Sequence, residues 1–206
     1  MFKLNRIYNM DCMEAMKEIP DKYFELAIVD PPYGIDIANM NMGEGSSFET
    51  GRLKKSNWDI QPPKQEYFDE LMRVSKNQVI WGGNYFNLPP TKCYLIWDKL
   101  DYNSDFASAE LAWTSFDKVV KTFRHARNTK EKRIHPTQKP IKLYRWTLSN
   151  YATKGDKILD THVGSGSSII ACIEEGYDYL GFEIDKEYYD GANKRIEDYK
   201  RQGKLF

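Results

Sequence analysis

The sequence has only three cysteines among its 206 residues, no net charge and no long hydrophobic run. Because Cys12, Cys93 and Cys172 are odd in number and far apart, they argue against a disulfide framework or a metal site and indicate reduced thiols in the cytoplasm. No segment is apolar over the length that crosses a membrane, and the first residues lack the apolar core of a signal peptide. The balanced charge neither favours nor excludes a nucleic-acid partner.

The chain also shows no repeats and no low-complexity block, while 41% of its residues are hydrophobic. Length and composition predict one globular domain over residues 1–206. Apolar runs of strand length alternate with helical segments, which predicts a doubly wound α/β sheet. Strands are predicted near residues 6–10, 25–29, 77–81, 93–97, 110–114, 119–123, 156–160 and 178–183. Helices are predicted near residues 12–18, 64–75, 140–151, 167–175 and 186–200.

The loop after the second predicted strand carries an unusual group of residues, namely Asp30, Pro31, Pro32 and Tyr33. Proline fixes φ, lacks an N–H and holds the preceding residue extended. The Asp30 carboxylate and the Pro31 carbonyl are therefore predicted to face one substrate group as two rigid acceptors, with Tyr33 as a stacking surface. The exocyclic amine of a nucleobase needs such acceptors, because its lone pair is delocalised into the ring. The structural alternative is a strand that ends in a proline turn.

A glycine- and serine-rich loop follows the strand predicted at 156–160, which ends in Asp160. A helix and another strand come next, and that strand ends in Glu183. This layout is typical of a nucleotide-binding βαβ unit. A dinucleotide site is the main competitor, but Ile169 stands where its third glycine belongs, after Gly164 and Gly166. The loop therefore better suits a ligand with a ribose and a charged tail but no pyrophosphate, such as S-adenosylmethionine.

Together these motifs resemble the amino-group DNA methyltransferases, in the class whose catalytic motif precedes the cofactor loop. Residues 30–33 match the adenine-N6 form of the catalytic motif, and His135–Pro140 matches the segment before the cofactor loop. Residues 79–86 and 96–99 are similar to small, often phage-associated members. One departure is that Asp160 is followed by Thr161 and His162, where the family usually has Pro and Phe. The loop also ends Gly-Ser-Ser rather than Gly-Thr-Thr.

The resemblance implies a mostly parallel, seven-stranded sheet of the Rossmann-like methyltransferase fold, and methyl transfer from S-adenosylmethionine to the N6 amine of adenine in DNA. Asp11 is expected to accept from the adenine of the cofactor, although an acid there also suits a helix N-cap. Lys139 is expected to meet the methionine carboxylate, although Pro140 also suits a simple helix start. The cofactor contacts implied by the resemblance are Asp11, Asp30, Gln138, Lys139, Asp160, His162, Gly164, Ser165, Gly166, Ser168 and Glu183.

Two polar segments are candidates for DNA contact. Residues 38–61 form a long polar insert directly after the catalytic loop, and long loops of this kind are often functional. Residues 121–133 form a basic segment, which suits phosphate contact in an enzyme that must hold DNA beside its site. Basic runs are also common on ordinary solvated surfaces. The candidate side chains are Lys54, Lys55, Trp58, Arg124, Arg127, Lys130 and Arg133.

Several alternatives remain open at the level of sequence. Cytosine-N4 methylation and RNA-adenine methylation require the same chemistry, and an inactive nucleic-acid-binding subunit would keep the same fold. The chain has little room for a separate recognition domain. Either the polar segments read a short site, specificity is loose, or a second subunit, such as a copy in a homodimer, contributes. Whether a restriction enzyme accompanies the protein is also open.

Overall fold

A computed structural model describes residues 1–35, 61–101, 107–126 and 133–202. These residues form eight strands and five helices. The strands are β1 (Arg6–Asn9), β2 (Phe24–Val29), β3 (Ser75–Trp81), β4 (Tyr94–Asp98), β5 (Ala109–Thr114), β6 (Lys121–Arg124), β7 (Lys157–Asp160) and β8 (Asp178–Glu183). The helices are α1 (Cys12–Lys17), α2 (Gln65–Val74), α3 (Ile141–Tyr151), α4 (Ser167–Glu175) and α5 (Lys186–Gln202). A short 3-10 helix, Gly83–Tyr85, was not predicted.

All eight strands belong to one sheet, in the order β1-β8-β7-β2-β3-β5-β4-β6. Only β5 is antiparallel to its neighbours, so the other seven strands run in one direction. The prediction of a mostly parallel α/β sheet is confirmed, but the count of seven strands was wrong. The short strands β1 and β6 both join the sheet, because each pairs along its whole length with an edge, β1 with β8 and β6 with β4.

Helices cover both faces of the sheet, and β2 shows why. Its side chains alternate between the faces, as in any strand that is buried on both sides. Leu26 and Ile28 pack into a core with α3, α4 and α5, whereas Ala27 and Val29 pack into a second core with α1 and α2. Both layers are required to bury the strand. No helix in the described part of the chain is long and apolar enough to cross a membrane.

The centre of the sheet contains a topological switch point. The crossover from β2 through α2 leads to β3 on one side, whereas the crossover from β7 through α4 leads to β8 on the other side. Because β2 and β7 are neighbours, their carboxyl ends open into the crevice between two diverging crossovers. Ligands of open α/β sheets bind in this position. Asp30 follows β2 and Asp160 ends β7, so the two predicted motifs meet there.

Candidate active site

The Asp30 side chain is held by two hydrogen bonds at the carboxyl end of β2. The Tyr33 hydroxyl donates to Asp30 Oδ1 at 2.7 Å, and the Lys139 ammonium donates to Oδ2 at 2.6 Å. Pro31 is buried, and it fixes the loop directly after the acid. Each carboxylate oxygen has a second lone pair, so both can still accept from a substrate. The Asp30 carboxylate is therefore held on both oxygens, and its role as a substrate acceptor stays a prediction.

The Tyr33 ring is packed by the segment that follows β3. Tyr85 stacks on it with ring centroids 5.0 Å apart and an interplanar angle of 14°, and Phe86 meets it edge-on. Gly82 lies against the same ring in the left-handed conformation, with φ at 71°. Tyr85 is 46% exposed, so an aromatic surface reaches solvent beside the catalytic loop. In the sequence this segment is notable only for its family resemblance, which does not predict the contact with Tyr33.

Lys139 lies in the catalytic loop's own network. Besides Asp30, its ammonium donates to the Tyr33 hydroxyl at 3.0 Å and lies 3.0 Å from Glu110 Oε2. Glu110 in turn pairs with Lys99, which lies 2.7 Å from its Oε1. Both lysines are buried. Neither Glu110 nor Lys99 was a candidate from sequence, because their pairing depends on the antiparallel register of β4 and β5.

Burial and charge act in opposite directions on this network. Burial raises the pKa of Asp30, and Lys139 offsets only part of that shift. Burial would also raise the pKa of Glu110, but Lys139 and Lys99 outweigh it and bring that pKa to about 2. The two carboxylates in turn raise the pKa of Lys139 despite its burial. Glu110 and Lys139 therefore both carry charge at neutral pH.

Asp160 is buried beside the glycine-rich loop and is held by donors from that loop. The His162 amide donates to Oδ1 at 2.9 Å, and the Ser168 hydroxyl donates to Oδ2. Burial raises the pKa of Asp160 to about 7. No described Lys or Arg forms an ion pair with this carboxylate. The Asp160 site therefore has an uncompensated acid that a positively charged ligand would satisfy.

Glu183 is the second acid of this crevice. Its carboxylate accepts from the Gly164 amide at 2.8 Å and from the Asp185 amide at 2.9 Å, and burial raises its pKa. The neighbouring Ile184, which directly follows β8, is 65% exposed and offers an apolar surface. An acceptor for hydroxyls, an apolar surface and an uncompensated acid fit the ribose, the adenine and the charged tail of S-adenosylmethionine.

The two glycines of the loop face different neighbours. Gly164 and Gly166 both have positive φ, at 50° and 77°. A Cβ at Gly164 would face the ring of His135, whereas a Cβ at Gly166 would face Ile196 and Ala192 of α5. The space beside Gly166 is therefore occupied by α5, so a side chain at this position would meet that helix.

Arg195 of α5 holds this loop from behind and was missed from sequence. Its guanidinium donates to the Ser165 carbonyl and to the Ser167 hydroxyl, both at 2.9 Å. Ser165 and Ser167 also share a hydrogen bond of 3.1 Å between their hydroxyls. A basic residue on an amphipathic helix gives no sequence signal for such a role, because most such side chains are solvated.

The His135–Pro140 segment lies beside the glycine loop. His135 packs on Tyr188 and near Gly164, and burial lowers its pKa to about 3. The Gln138 side chain accepts from the Ile134 amide at 3.1 Å, so it braces its own segment. The segment therefore lies beside the glycine loop. Contact of Gln138 and Lys139 with the cofactor stays a prediction, and the described partners of Lys139 are those of the catalytic loop.

Two further predicted cofactor contacts have local partners. Asp11 caps α1 by accepting from the Met13 amide at 2.7 Å, which is the structural alternative that its position allowed. The His162 ring lies near the Tyr67 ring, and its Nδ1 lies 2.9 Å from the Thr161 hydroxyl. The Tyr67 hydroxyl bonds the same Thr161 hydroxyl at 2.7 Å. Thr161 and His162, the departures from the family pattern, thus form one network with α2, and burial lowers the His162 pKa to about 4.

The nucleic-acid candidates are only partly described. Arg124 ends β6 on the same edge of the sheet as Asp30, is largely exposed and pairs with Asp98 at 3.1 Å. Arg133 is partly buried. The remaining candidates, and residues 38–60 of the polar insert, lie outside the described residues: Lys54, Lys55, Trp58, Arg127 and Lys130.

Comparison with known proteins places this geometry in context. A family model described as DNA methylase, N6_N4_Mtase, matches residues 55–194. The chain is 37% identical to the type II methyltransferase M.HpaI of Haemophilus parainfluenzae over 93% of its length and 74% of that protein. It is 25% identical to the type II methyltransferase M.HinfI of Haemophilus influenzae over 96% of its length and 69% of that protein.

Solved structures share the fold. The M1.HpyAVI–SAM complex superimposes with a TM-score of 0.59 at 21% identity, covering 92% of this chain and 98% of that one. The cytosine-N4-specific PvuII DNA methyltransferase superimposes with a TM-score of 0.63 at 12% identity, covering 98% of this chain and 93% of that one. The eight-stranded sheet with its switch-point crevice is therefore a methyltransferase fold.

Proposed function

This chain belongs to the N6_N4_Mtase family of DNA methylases, and we propose that, within this amino-directed class, it methylates the N6 amine of adenine. The chain is a DNA methyltransferase that uses S-adenosylmethionine. The observation that carries the adenine proposal is the catalytic loop itself. Asp30 and Tyr33 stand in the adenine-N6 form of the motif, and they meet at the switch point beside the glycine loop.

The loop suits the chemistry of an amine that is a poor nucleophile. The Asp30 carboxylate and the Pro31 carbonyl accept from the two amine hydrogens, which draws the nitrogen toward a tetrahedral form with an available lone pair. Preorganised acceptors of this kind cost no reorganisation at the moment of reaction. The ionised Asp30 also offers a place for the proton that the methylated amine must lose.

The cofactor supplies an activated methyl group on a sulfonium when it is bound. The residues of this chain position the two partners: the glycine loop, Asp160 and Glu183 hold the cofactor side, and the Asp30 loop holds the base. Because β2 and β7 are adjacent strands, the two sides face one crevice. Much of the rate should come from this positioning.

The target adenine must leave the helix stack to reach a crevice at the end of a sheet. The exposed surface of Tyr85 and the Tyr33 ring offer aromatic faces for an unstacked base. Stacking on an aromatic side chain is worth about 1–3 kcal/mol per base. We therefore place the flipped adenine beside this pair. Arg124 lies on the same edge of the sheet and suits a phosphate contact.

A methyl-transfer assay tests the proposal. The protein is incubated with tritiated S-adenosylmethionine and DNA from a methylation-free host, and the modified nucleoside is identified by mass spectrometry. We expect N6-methyladenosine in its deoxy form. N4-methylcytosine would overturn the adenine assignment and keep the family assignment. Preferential methylation of an RNA of the same sequence would instead identify RNA as the substrate.

A further inference from the structure

A row of four charges, in which the two lysines are buried and the two acids are partly buried, leads from Asp30 away from the proposed reaction centre. Lys139 lies 2.6 Å from Asp30 and 3.0 Å from Glu110, and Lys99 lies 2.7 Å from the other oxygen of Glu110. The four groups come from the ends of three strands and from the start of α3. The proposed chemistry uses Asp30, but it assigns no role to Glu110 or Lys99.

The Lys139 ammonium donates where the target amine has to donate. It bonds Asp30 Oδ2 and the Tyr33 hydroxyl, while the Tyr33 hydroxyl bonds Asp30 Oδ1. A nitrogen with several N–H groups thus faces the Asp30 carboxylate. An arriving amine must share Asp30 with this cation, which weakens the carboxylate as an acceptor.

Glu110 Oε2 is the one atom of the row whose bonding is incomplete. It is buried and lies 3.0 Å from Lys139 Nζ, yet no described group forms a hydrogen bond with it. The contact with Lys139 is an ion pair. Buried carboxylate oxygens are normally hydrogen-bonded, so an exception within an active site calls for a reason.

We propose that Glu110, held by Lys99, takes over the hydrogen bond of Lys139 when the target amine binds Asp30. The inference rests on the proposed function, because the arriving donor is the target amine. Only a small rotation of the lysine end is needed, since Nζ already lies 3.0 Å from Oε2. The cation stays paired throughout, which avoids the several kcal/mol that a stranded buried charge costs.

Lys99 is required for charge balance in this arrangement. Two acids and two lysines form the row, so its formal charge is zero. Without Lys99, Glu110 would bind the Lys139 ammonium permanently. Without Glu110, the ammonium would remain on Asp30. Glu110 and Lys99 are therefore positioning residues, which act on the reaction only through Lys139 and Asp30.

Several other groups face Asp30 and stay constant in the test. Tyr33 is its neighbour in the loop, Tyr144 approaches from α3, Tyr67 from α2, and Asp160 from the end of β7. None of them is altered by substitution at Glu110 or Lys99. A change in the Asp30 titration therefore reports the row of charges itself.

The first experiment follows the Asp30 carboxyl carbon by NMR in protein labelled with 13C-aspartate, with the signal assigned through Asp30→Asn. In Glu110→Gln we expect the titration to move to lower pH, because a repelling charge is lost and Lys139 stays on Asp30. In Lys99→Gln we expect it to move to higher pH, because Glu110 draws Lys139 away. Charges at this range shift a pKa by about one unit or more. Unchanged titration in both variants would overturn the proposal.

The second experiment measures methyl transfer at a pH above the Asp30 titration of every variant, as the first experiment determines it. We expect the kcat of Glu110→Gln to fall by at least about tenfold, because the amine must then compete with Lys139, with unchanged cofactor affinity in calorimetry. Glu25→Gln is the matched control, since Glu25 also pairs with a lysine and is about as exposed, at 24% against 22%, but lies away from Asp30. A normal kcat in Glu110→Gln contradicts the proposal. If the unaltered protein transfers no methyl group, the proposed function fails, while the titration still decides this inference.

Discussion

Gly82 lies so close to Tyr33 that a Cβ atom at position 82 would fall 2.2 Å from Tyr33 Cε1, 2.5 Å from Cδ1 and 2.6 Å from Cζ. An atom in the ring plane beyond Cε1 would be clearly farther from the two neighbouring carbons. The three similar distances therefore place Gly82 over the face of the ring. The Tyr33 ring is thus positioned by a backbone contact that only glycine allows.

Gly82→Ala should displace the Tyr33 ring. Overpacking costs about 1–3 kcal/mol, and an alanine at positive φ costs about 1 kcal/mol more. Gly176→Ala is the matched control, because Gly176 has φ of 74° and nothing within 4 Å of its Cβ position. We expect urea unfolding to show the smaller loss in the control and methyl transfer to fall only in Gly82→Ala. Equal losses would mean that the ring contact is unimportant.

Asp30→Ala should lower methyl transfer by several orders of magnitude, because the amine loses a preorganised acceptor. Cofactor affinity should change less, since Asp160 and Glu183 remain. Single-turnover kinetics with saturating cofactor measures the first effect, and calorimetry measures the second. Near-normal turnover of this variant would contradict the catalytic assignment of Asp30.

Cofactor binding should depend on the ionisation of Asp160, whose pKa burial raises to about 7. The carboxylate attracts a cationic ligand only above that pH, so affinity should fall by up to about tenfold per unit as pH drops below 7. Calorimetry between pH 5.5 and 8.5 measures this dependence. Asp160→Asn should bind more weakly and with a flat profile, and a retained slope would assign the titration to another group.

The same shift has a consequence for stability with a definite sign. The folded protein holds the Asp160 proton more tightly than the unfolded chain, so the contribution of this group to stability decreases as pH rises from about 4 to about 7. Asp160→Asn removes that slope. Urea unfolding of both proteins at pH 4.5 and pH 7.5 gives the comparison, and an identical pH dependence in the two would contradict the assignment.

Glu183→Ala should weaken cofactor binding by at least about tenfold, because it removes the predicted ribose acceptor and releases the Gly164 and Asp185 amides. A hydrogen bond to a charged group contributes about 1.5–3 kcal/mol. Glu197→Ala provides a surface control, since Glu197 is exposed and pairs only weakly with Lys200 at 3.2 Å. Unchanged affinity in Glu183→Ala would show that the cofactor lies elsewhere.

Changing Arg124 and Arg127 together to Ala should weaken DNA binding and flatten its salt dependence. Each phosphate contact contributes about 0.9 to the slope of log affinity against log salt, so the slope should change by up to about two units. Lys76 and Lys92 serve as controls. Lys76 lies at the start of β3 and Lys92 lies just before β4, so both are at the amino ends of the strands, opposite Arg124. A parental salt slope in the arginine variant would identify the basic segment as a solvated surface.

The periodicity of the chain predicted every strand and α-helix of the described residues to within two residues, but not the 3-10 helix Gly83–Tyr85. Buried strands and amphipathic helices carry their signal locally, and Gly176 at the end of α4 is a local signal of the same kind. Asp30 and Asp160 could also be placed at one end of the sheet, because the carboxyl ends of parallel strands lie on the same side. Those parts of the site follow from local pattern and topology.

The supporting contacts could not be predicted in the same way. Glu110 meets Lys139 only because β5 runs antiparallel to its neighbours, which brings its first residues to the carboxyl edge. Arg195 reaches the glycine loop from α5, and Gly82 contacts Tyr33 because its backbone is in the left-handed conformation. Such pairings join residues far apart in the chain, and no local pattern in one sequence records them.

The pairing of β2 with β7 also determines when the site forms during folding. Leu26 pairs with Ile158, and most of the chain lies between these two residues in sequence. Forming the crevice between Asp30 and Asp160 therefore requires closure of a very long loop. Contacts of such large sequence separation slow folding, since the entropy of closure comes before the gain in packing. The N-terminal strands can collapse early, but they contain only the Asp30 half of the site. Recovery of cofactor binding during refolding therefore marks the last stage of assembly rather than its beginning.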